Sequence, residues 1–472
     1  MRILICSYEW GLGMAKRVVI IGGGPGGYPA ALMLAQKGAE VTLIEKDRLG
    51  GTCLNRGCIP TKVLLHATSL MREIREGKRL GIRAGEIDLD FGQLKKHKDE
   101  VITSLVRGVE KLCATRKIRL IQGTGSFERP RKVRIKETGE VVEAEAIIVA
   151  TGSVPATVAI KGADTPGVLT SDEALSLERV PPSMVIIGAG YIGLEFAQVF
   201  HALGSKVTVL ELLNQVLPNE DVDVARALSR ALQHEGIRIF TGAEVRRISG
   251  DQGRKKVEYA LEGKTQSVGT GCVLMAVGRR CNTEGLGLDK AGVKTEKGRI
   301  LVNDRMETTA QGTYAIGDAV GGLMLAHVAT AEGHVAADQI LGNDPHPMDY
   351  TAVPRCIYTY PEAASVGLTE AEARKRYGEV LVGRFPLEAS GKARILGGSG
   401  FAKVIAEKKL GRIVGVHLVG PHVTDLISEA VLAMNLECTT EELAYTIHPH
   451  PTLSEALMES AMATQGYKIH DR

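Results

Sequence analysis

No apolar run in the 472-residue sequence is long enough to span a bilayer, so no membrane contact is expected. No sign of charge dominates. Lys and Arg number 58 against 55 Asp and Glu, which leaves +3, too little to point to nucleic acid or an acidic surface as partner. The N-terminal MRILICSYEWGLGMAKR has an early Arg but an apolar run of only four residues, too short for a signal peptide. A disulfide framework is missing too. Cys6, Cys113, Cys272, Cys281, Cys356 and Cys438 are scattered, unlike the cysteines of a small secreted scaffold, and a reducing, cytoplasmic compartment is expected.

What is present is length and glycine. A chain of 472 residues is too long for one core and implies two to four domains. Its 44% apolar content allows sizeable cores, and 55 glycines favour an α/β protein with many tight strand–helix turns.

KRVVIIGGGPGGYPAALMLAQKGAEVTLIEK reads as strand, glycine turn, helix and strand. Gly22, Gly24 and Gly27 have G-x-G-x-x-G spacing, the helix stops at Gly38, and the second strand ends in Glu45. The pattern returns in SMVIIGAGYIGLEFAQVFHALGSKVTVLEL, with Gly188, Gly190, Gly193 and Glu211. In each copy the glycines let a pyrophosphate approach a helix N-terminus and the acid accepts hydrogen bonds from an adenosine ribose. One such motif is a weak signal. Two copies with the acid at the same offset point to two bound dinucleotides. Leu212 and Leu213 follow Glu211, with no Arg nearby for a 2′-phosphate, which favours NAD over NADP there. Two dinucleotides imply hydride transfer between them, so one is a flavin. The first unit also carries a close pair of thiols and is the flavin candidate.

Those thiols lie in GGTCLNRGCIP, where Cys53 and Cys58 follow Gly50 and Gly51 and precede Pro60. They could form a structural disulfide, half of a metal site, or a redox pair. No second cysteine pair or His cluster has spacing that would complete a zinc site, so no metal is expected. A structural disulfide does not suit a reducing compartment. The pair opens an amphipathic helix, TKVLLHATSLMREIRE, with Pro60 suited to its first turn, and a helix N-terminus favours the thiolate. Gly50 and Gly51 would let the backbone lie flat against a flavin. The residues point to a redox-active disulfide.

GGTCLNRGCIPTK resembles the active-site signature of the flavin-dependent disulfide oxidoreductases. From about Lys16 to Lys468 the chain resembles those members of the family that oxidise dihydrolipoamide. AIIVATGSVP resembles the strand returning to the flavin domain, with Thr151, Gly152 and Ser153 near the cofactor. GTYAIGDAVGGLMLAH resembles the second flavin motif, in which Asp318 would bind the ribityl chain and Met324, Leu325, Ala326 and His327 would flank the ring. HPHPTLSEAL resembles the catalytic segment, with His450 as base and Glu455 as its orienting carboxylate; His448 reads as a neighbour of the base. The resemblance further implies that Lys62 pairs with Glu195 near the flavin N5. It adds Lys46, Gly51, Thr52 and Gly125 to the FAD contacts, and Tyr191, Ile192, Val245 and Gly278 to those of NAD. Arg56 and Cys281 depart from the family, which often has a small residue and Pro in their places. The first thirteen residues, with the only tryptophan, Trp10, have no counterpart, and Met14 is a plausible start.

The implied fold is α/β, with two Rossmann-like dinucleotide-binding domains (FAD and NAD) and a C-terminal α+β dimerisation domain. Residues 1–155 are the FAD domain, with 1–13 an extension and Phe91 to Lys117 a helical excursion. Residues 156–280 carry NAD, 281–350 return to the FAD domain, and 351–472 form the dimer interface. In the last segment FAKVIAEKK and RIVGVHLVG flank Leu410 and Gly411 in a hairpin, and VTDLISEAVLAMNL is a helix upon it. The implied partners are a second copy of the chain, whose active site would receive His450, and the lipoyl domain of a 2-oxo acid dehydrogenase complex or a glycine-cleavage carrier protein. Three alternatives stand beside this reading. A glutathione reductase prefers NADP, which Glu211 disfavours. A mercuric reductase usually has vicinal cysteines near its C-terminus, and ALMESAMATQGYKIHDR has none. A non-catalytic flavoprotein scaffold would need none of Cys53, Cys58, His450 and Glu455.

Overall fold

The computed structural model describes residues 16–467, 469 and 470. Cys6, Trp10, Met14 and Lys468 lie outside the described residues. The chain divides into two compact units. One takes the chain through Asn55, then Thr103–Val154 and Arg280–Met348; the other takes Arg56–Ile102, Pro155–Arg279 and the chain from Asp349 onward. The segment 56–102, assigned above to the FAD domain, is therefore grouped with the second unit.

The first unit is built on a parallel five-stranded sheet, in spatial order Thr313–Ala315, Ala146–Val149, Arg17–Ile21, Glu40–Glu45 and Arg119–Gln122. Its central strands are runs of Val, Ile and Leu because both faces are covered; Val18 to Ile21 and Ala146 to Val149 are all buried. The helix Gly27–Gln36 follows the first glycine turn and packs on the helix Ala326–Leu341. The contact is backbone-close. Thr330 Oγ1 donates to the Pro25 carbonyl at 2.8 Å, and a Cβ on Gly333 would lie 2.9 Å from the Gly26 oxygen. An antiparallel sheet, Gly125–Arg129, Lys132–Ile135 and Val141–Glu143, adds Phe127, Val133 and Ile135 to the core.

The second unit repeats the parallel plan. Its sheet runs Arg238–Phe240, Lys206–Leu210, Ser183–Ile187, Cys272–Met275 and Val168–Leu169. After it comes a five-stranded antiparallel sheet, in order Arg355–Ile357, Glu362–Gly367, Ile413–Gly420, Phe401–Glu407 and Val380–Pro386. Phe401–Glu407 and Ile413–Gly420 form the hairpin around Leu410 and Gly411, and the helices Val423–Asn435 and Glu455–Thr464 pack on this sheet. Every residue of both hairpin strands is buried, so Lys403 and His417 are carried into the core and must find partners there. No helix of the described residues is long and apolar enough to cross a membrane.

Candidate active site

The two parallel sheets end in the same turn. A Cβ on Gly22 would lie 2.3 Å from the Ala150 carbonyl oxygen, and one on Gly188 2.4 Å from that of Ala276. A Cβ on Gly27 would strike the Gly22 oxygen at 1.8 Å, and one on Gly193 the Gly188 oxygen at 2.1 Å. Close packing of helix on strand therefore requires these four glycines. Gly24 and Gly190 differ. Among the described residues a Cβ would meet nothing closer than 3.8 Å at the first and nothing within 4 Å at the second. The chain itself does not forbid a side chain there; the open space suits a pyrophosphate lying against the helix N-terminus.

The two acids are held alike. Glu45 accepts from the N–H groups of Gly23 and Asp47 at 2.7 and 2.8 Å. Glu211 accepts from those of Ala189 and Leu213 at 2.6 and 2.8 Å. Each carboxylate is thus fixed at the rim of its glycine turn. Val245 lies on the strand Glu244–Ser249, which begins just past Ala243, whose N–H donates to the Glu211 carbonyl at 2.8 Å. Gly278 follows the carboxyl end of Cys272–Met275, and a Cβ there would meet nothing within 4 Å among the described residues. Tyr191 and Ile192 open the helix Tyr191–Ala202.

In the first unit, Thr151, Gly152 and Ser153 follow the strand Ala146–Val149, and Asp318 lies in the short turn Gly317–Val320 after Thr313–Ala315. Ser153 Oγ donates to Asp318 Oδ2, which joins two segments far apart in sequence at the carboxyl ends of neighbouring strands. Among the described residues Thr151 Oγ1 is buried without a hydrogen-bond partner, an orphan that suits a polar ligand. Met324 adopts φ +50°, Leu325 precedes the next helix in extended conformation, and Ala326 and His327 begin it. Gly125 opens a strand, where a Cβ would crowd Val133 at 3.2 Å and Ile21 at 3.3 Å. Lys46 is exposed beside Glu45. Of the two departures, Cys281 has its thiol pushed up by burial and then by Asp318, and Arg56 lies 3.8 Å from Asp172.

The thiol segment forms two helices. Cys53 and Thr52 stand on Gly51–Arg56, and Cys58 opens Cys58–Glu76, with Gly57 between. Pro60 falls in the first turn of the second helix, where its missing N–H costs nothing. Gly51 serves packing as well as any ligand: a Cβ there would lie 2.6 Å from Gly24 Cα. One turn past Cys58, Lys62 Nζ donates to Glu195 at 3.0 and 2.9 Å, and the Glu195 side chain is 4% exposed.

His450 Nδ1 and Glu455 Oε1 are 2.9 Å apart. Burial acts to raise the Glu455 carboxyl, but the Thr452 N–H at 2.8 Å and His450 outweigh it and hold the group below its usual range. With Nδ1–H donated to this carboxylate, Nε2 keeps the lone pair. The His450 side chain is 78% exposed. His448 is its opposite. Its side chain is nearly buried, with Nδ1 turned to the Thr446 carbonyl and Nε2 to Glu429, each at 2.7 Å, so both ring nitrogens are engaged within the chain.

Residues 16–333 match the family described as pyridine nucleotide-disulphide oxidoreductase, and residues 353–461 match its dimerisation domain. The chain belongs to this family. Among its relatives is a dihydrolipoyl dehydrogenase of Bacillus subtilis (strain 168), 42% identical, the match covering 96% of this chain and 98% of that protein. The crystal structure of LpdA from Mycobacterium tuberculosis has a TM-score of 0.87 at 28% identity and covers 95% and 99% of the two chains. The HOCl-induced flavoprotein disulfide reductase RclA from Escherichia coli gives 0.85 at 31%, covering 94% and 99%. As a member of the family the chain is an oxidoreductase that uses FAD and NAD(H). The open Gly24 and Gly190, the paired acids and the orphaned Thr151 hydroxyl fit two such dinucleotides.

Tyr358 belongs to no motif of the sequence, yet its backbone N–H donates to Glu195 at 3.1 Å. The available signal was its pairing with Tyr360 just before Pro361, in a chain with 4% aromatics.

Proposed function

We propose that the chain oxidises protein-bound dihydrolipoamide to lipoamide with reduction of NAD, through a redox-active disulfide of Cys53 and Cys58. The observation that carries this reading is 42% identity over almost the full length to a protein named dihydrolipoyl dehydrogenase. His450 is the base. Its Nε2 takes the proton of a substrate thiol, and Glu455 holds the imidazole in the tautomer that can do so. The substrate thiolate attacks Cys53 Sγ, a mixed disulfide forms, and Cys58 leaves as a thiolate favoured by its place at a helix N-terminus. The second substrate thiol then attacks the mixed disulfide, passes its proton to the departing Cys53 sulfur, and releases lipoamide with Cys53 left as a thiol. Two electrons have passed from the substrate dithiol to the enzyme dithiol. When bound, FAD supplies the relay that carries this electron pair to NAD.

In this reading Gly22, Gly24, Gly27, Glu45 and Asp318 hold FAD, and Gly188, Gly190, Gly193 and Glu211 hold NAD. Lys62 and Glu195 form a fixed charge pair beside the flavin. The enzyme acts as a cytoplasmic homodimer in which each His450 serves the partner's thiols, consistent with its exposure in the single chain and with the dimerisation-domain match. The lipoyl group arrives on the carrier domain of a larger complex. Parallel NADH turnover assays with lipoamide, oxidised glutathione and mercuric ion test the proposal. Lipoamide should be turned over fastest, and a preference for either other substrate would overturn it.

A further inference from the structure

Lys62 is held from two sides. Its ammonium donates to both oxygens of Glu195 and stands 4.4 Å from the centroid of the Tyr358 ring. Tyr358 also fixes the carboxylate, through its backbone N–H to Glu195 Oε1 at 3.1 Å. One turn along the same helix, Gln198 accepts from the Tyr360 N–H at 2.6 Å and donates to the Tyr360 carbonyl at 2.9 Å. The backbone of residues 358–360 is thus bound at two points to the helix that carries Glu195. The ring of Tyr358 is delivered to Lys62 by main chain that does not depend on the ring itself.

An aromatic face attracts an ammonium within about 6 Å of its centroid. The Lys62 side chain is one-third exposed, so without a second contact its long stem could turn the charge out into water. Burial, followed by the negative charge of Cys356 and Glu195, pushes the Tyr358 hydroxyl upward; the phenol stays neutral, and the part of the side chain that meets the cation is the ring face.

We propose that Tyr358 is a positioning residue for the Lys62–Glu195 pair: its ring holds the ammonium against the carboxylate, and through that pair it raises the two-electron potential of the FAD-loaded enzyme. The proposal rests on the reading that Lys62 and Glu195 stand beside the flavin. A fixed cation stabilises a centre that gains negative charge on reduction, and a cation free to leave stabilises it less.

The test is the midpoint potential of the holoenzyme, measured by equilibration with mixtures of NADH and NAD. Tyr358→Leu keeps the backbone donor and loses the ring. It should lower the potential by about 30 mV, a tenfold change in the two-electron equilibrium constant, and lower kcat while leaving KM for NADH unchanged. Tyr358→Phe keeps the ring face and should match the wild type. Phenylalanines with one, two and three ring fluorines at position 358 keep the shape while weakening the π face, and should lower the potential in steps even if the Leu variant fails to fold. In a Lys62→Met background Tyr358→Leu should add no further shift. An unchanged potential across the fluorinated series, with Lys62→Met shifting it, would overturn the role of Tyr358 alone. A Phe variant as impaired as the Leu variant would assign the effect to the hydroxyl and also overturn it. If Lys62→Met leaves the potential unchanged, the reading of the pair itself fails, and this proposal falls with it.

Discussion

Lys403, 2% exposed, donates to both carboxylate oxygens of Asp221, at 3.0 and 3.2 Å. The same ammonium reaches Asp223 at 2.8 Å and Glu370 at 2.9 Å. Asp221 caps the helix Val222–Glu235 through the Asp223 N–H and accepts from the Glu370 N–H at 3.0 Å. A buried cation therefore ties the helix that follows the Glu211 loop to the C-terminal sheet. Lys403→Met would leave the buried Asp221 carboxylate uncompensated, with Asp223 and Glu370 half-buried beside it, at a cost of about 3–5 kcal/mol. A chain of several domains does not unfold in two states, so the readout is the melting temperature at fixed FAD and protein concentration. A melting temperature equal to that of the wild type would contradict this.

His417 lies beside this cluster, fully buried, with Ser365 Oγ 3.1 Å from Nδ1 and the Leu368 carbonyl 2.9 Å from Nε2. Burial holds it below the usual histidine range, against the opposing pull of Asp221, the Leu368 carbonyl and Glu220 and with Arg355 lowering it further. The unfolded chain takes up this proton near pH ~6.5 and the folded chain only at lower pH, so stability should begin to fall below about pH 6.5. Asp221 and Glu370 are held below their usual range by hydrogen bonds and Lys403, which outweigh burial. Their contribution is present above about pH 4 and is lost as the pH falls further. His417→Gln should flatten the melting temperature between about pH 6.5 and 4.5 and leave the steeper acid limb. A wild-type profile already flat there would rule out the histidine term.

The two thiols should differ in their spectra. If Cys58 faces the flavin and Cys53 exchanges with substrate, Cys53→Ser should retain a long-wavelength thiolate–flavin absorbance in the oxidised holoenzyme, and Cys58→Ser should lack it. The reverse pattern would exchange the two assignments.

Glu211 should exclude NADPH. Two unit charges 4 Å apart interact by about 4 kcal/mol at an effective dielectric of 20, before solvent screening. Wild type should favour NADH strongly, and Glu211→Ala should lose much of that preference in the ratio of kcat/KM values. Equal use of both cofactors by the wild type would remove Glu211 as the selector.

Subunit mixing tests where the base acts. Loss of a positioned base costs about 10²–10⁴-fold in rate, so Cys53→Ser and His450→Gln homodimers should both be nearly inactive. If each His450 serves the other subunit, a mixed dimer has one intact site and activity should partly return. Mixed dimers verified by mass and still inactive would place the base within its own chain.

Much of this protein is legible in one dimension because its chemistry is local in sequence. Gly22 to Glu45 and Gly188 to Glu211 are each one strand–helix–strand unit, and the close approaches of Gly22, Gly27, Gly188 and Gly193 involve backbone that the motif itself or its sheet neighbour supplies. Cys53 and Cys58 share one short segment, and His450 finds Glu455 five residues away. Period and spacing suffice for such features. The helix Gly51–Arg56 is not legible in this way: Gly50 and Gly51 mark a turn by composition, while the chain after their positive φ angles coils at once.

What only the tertiary structure decided is pairing between distant segments. Lys403 reads as one polar residue in the apolar run FAKVIAE, and nothing in that run names Asp221, 182 residues earlier, as its partner. Tyr358 looks like a loop aromatic until the helix Tyr191–Ala202 takes hold of its backbone through Glu195 and Gln198. His448 and His450 are two identical side chains in HPHP, and their roles separate only when one is buried against Glu429 and the other is left exposed on Glu455. The sequence by itself determines the glycine turns, the closely spaced thiols and the meeting of His450 with Glu455, because each is set by neighbours along the chain. Which buried charge meets which is decided by packing, because a desolvated ion must be matched wherever the fold brings an opposite charge within reach.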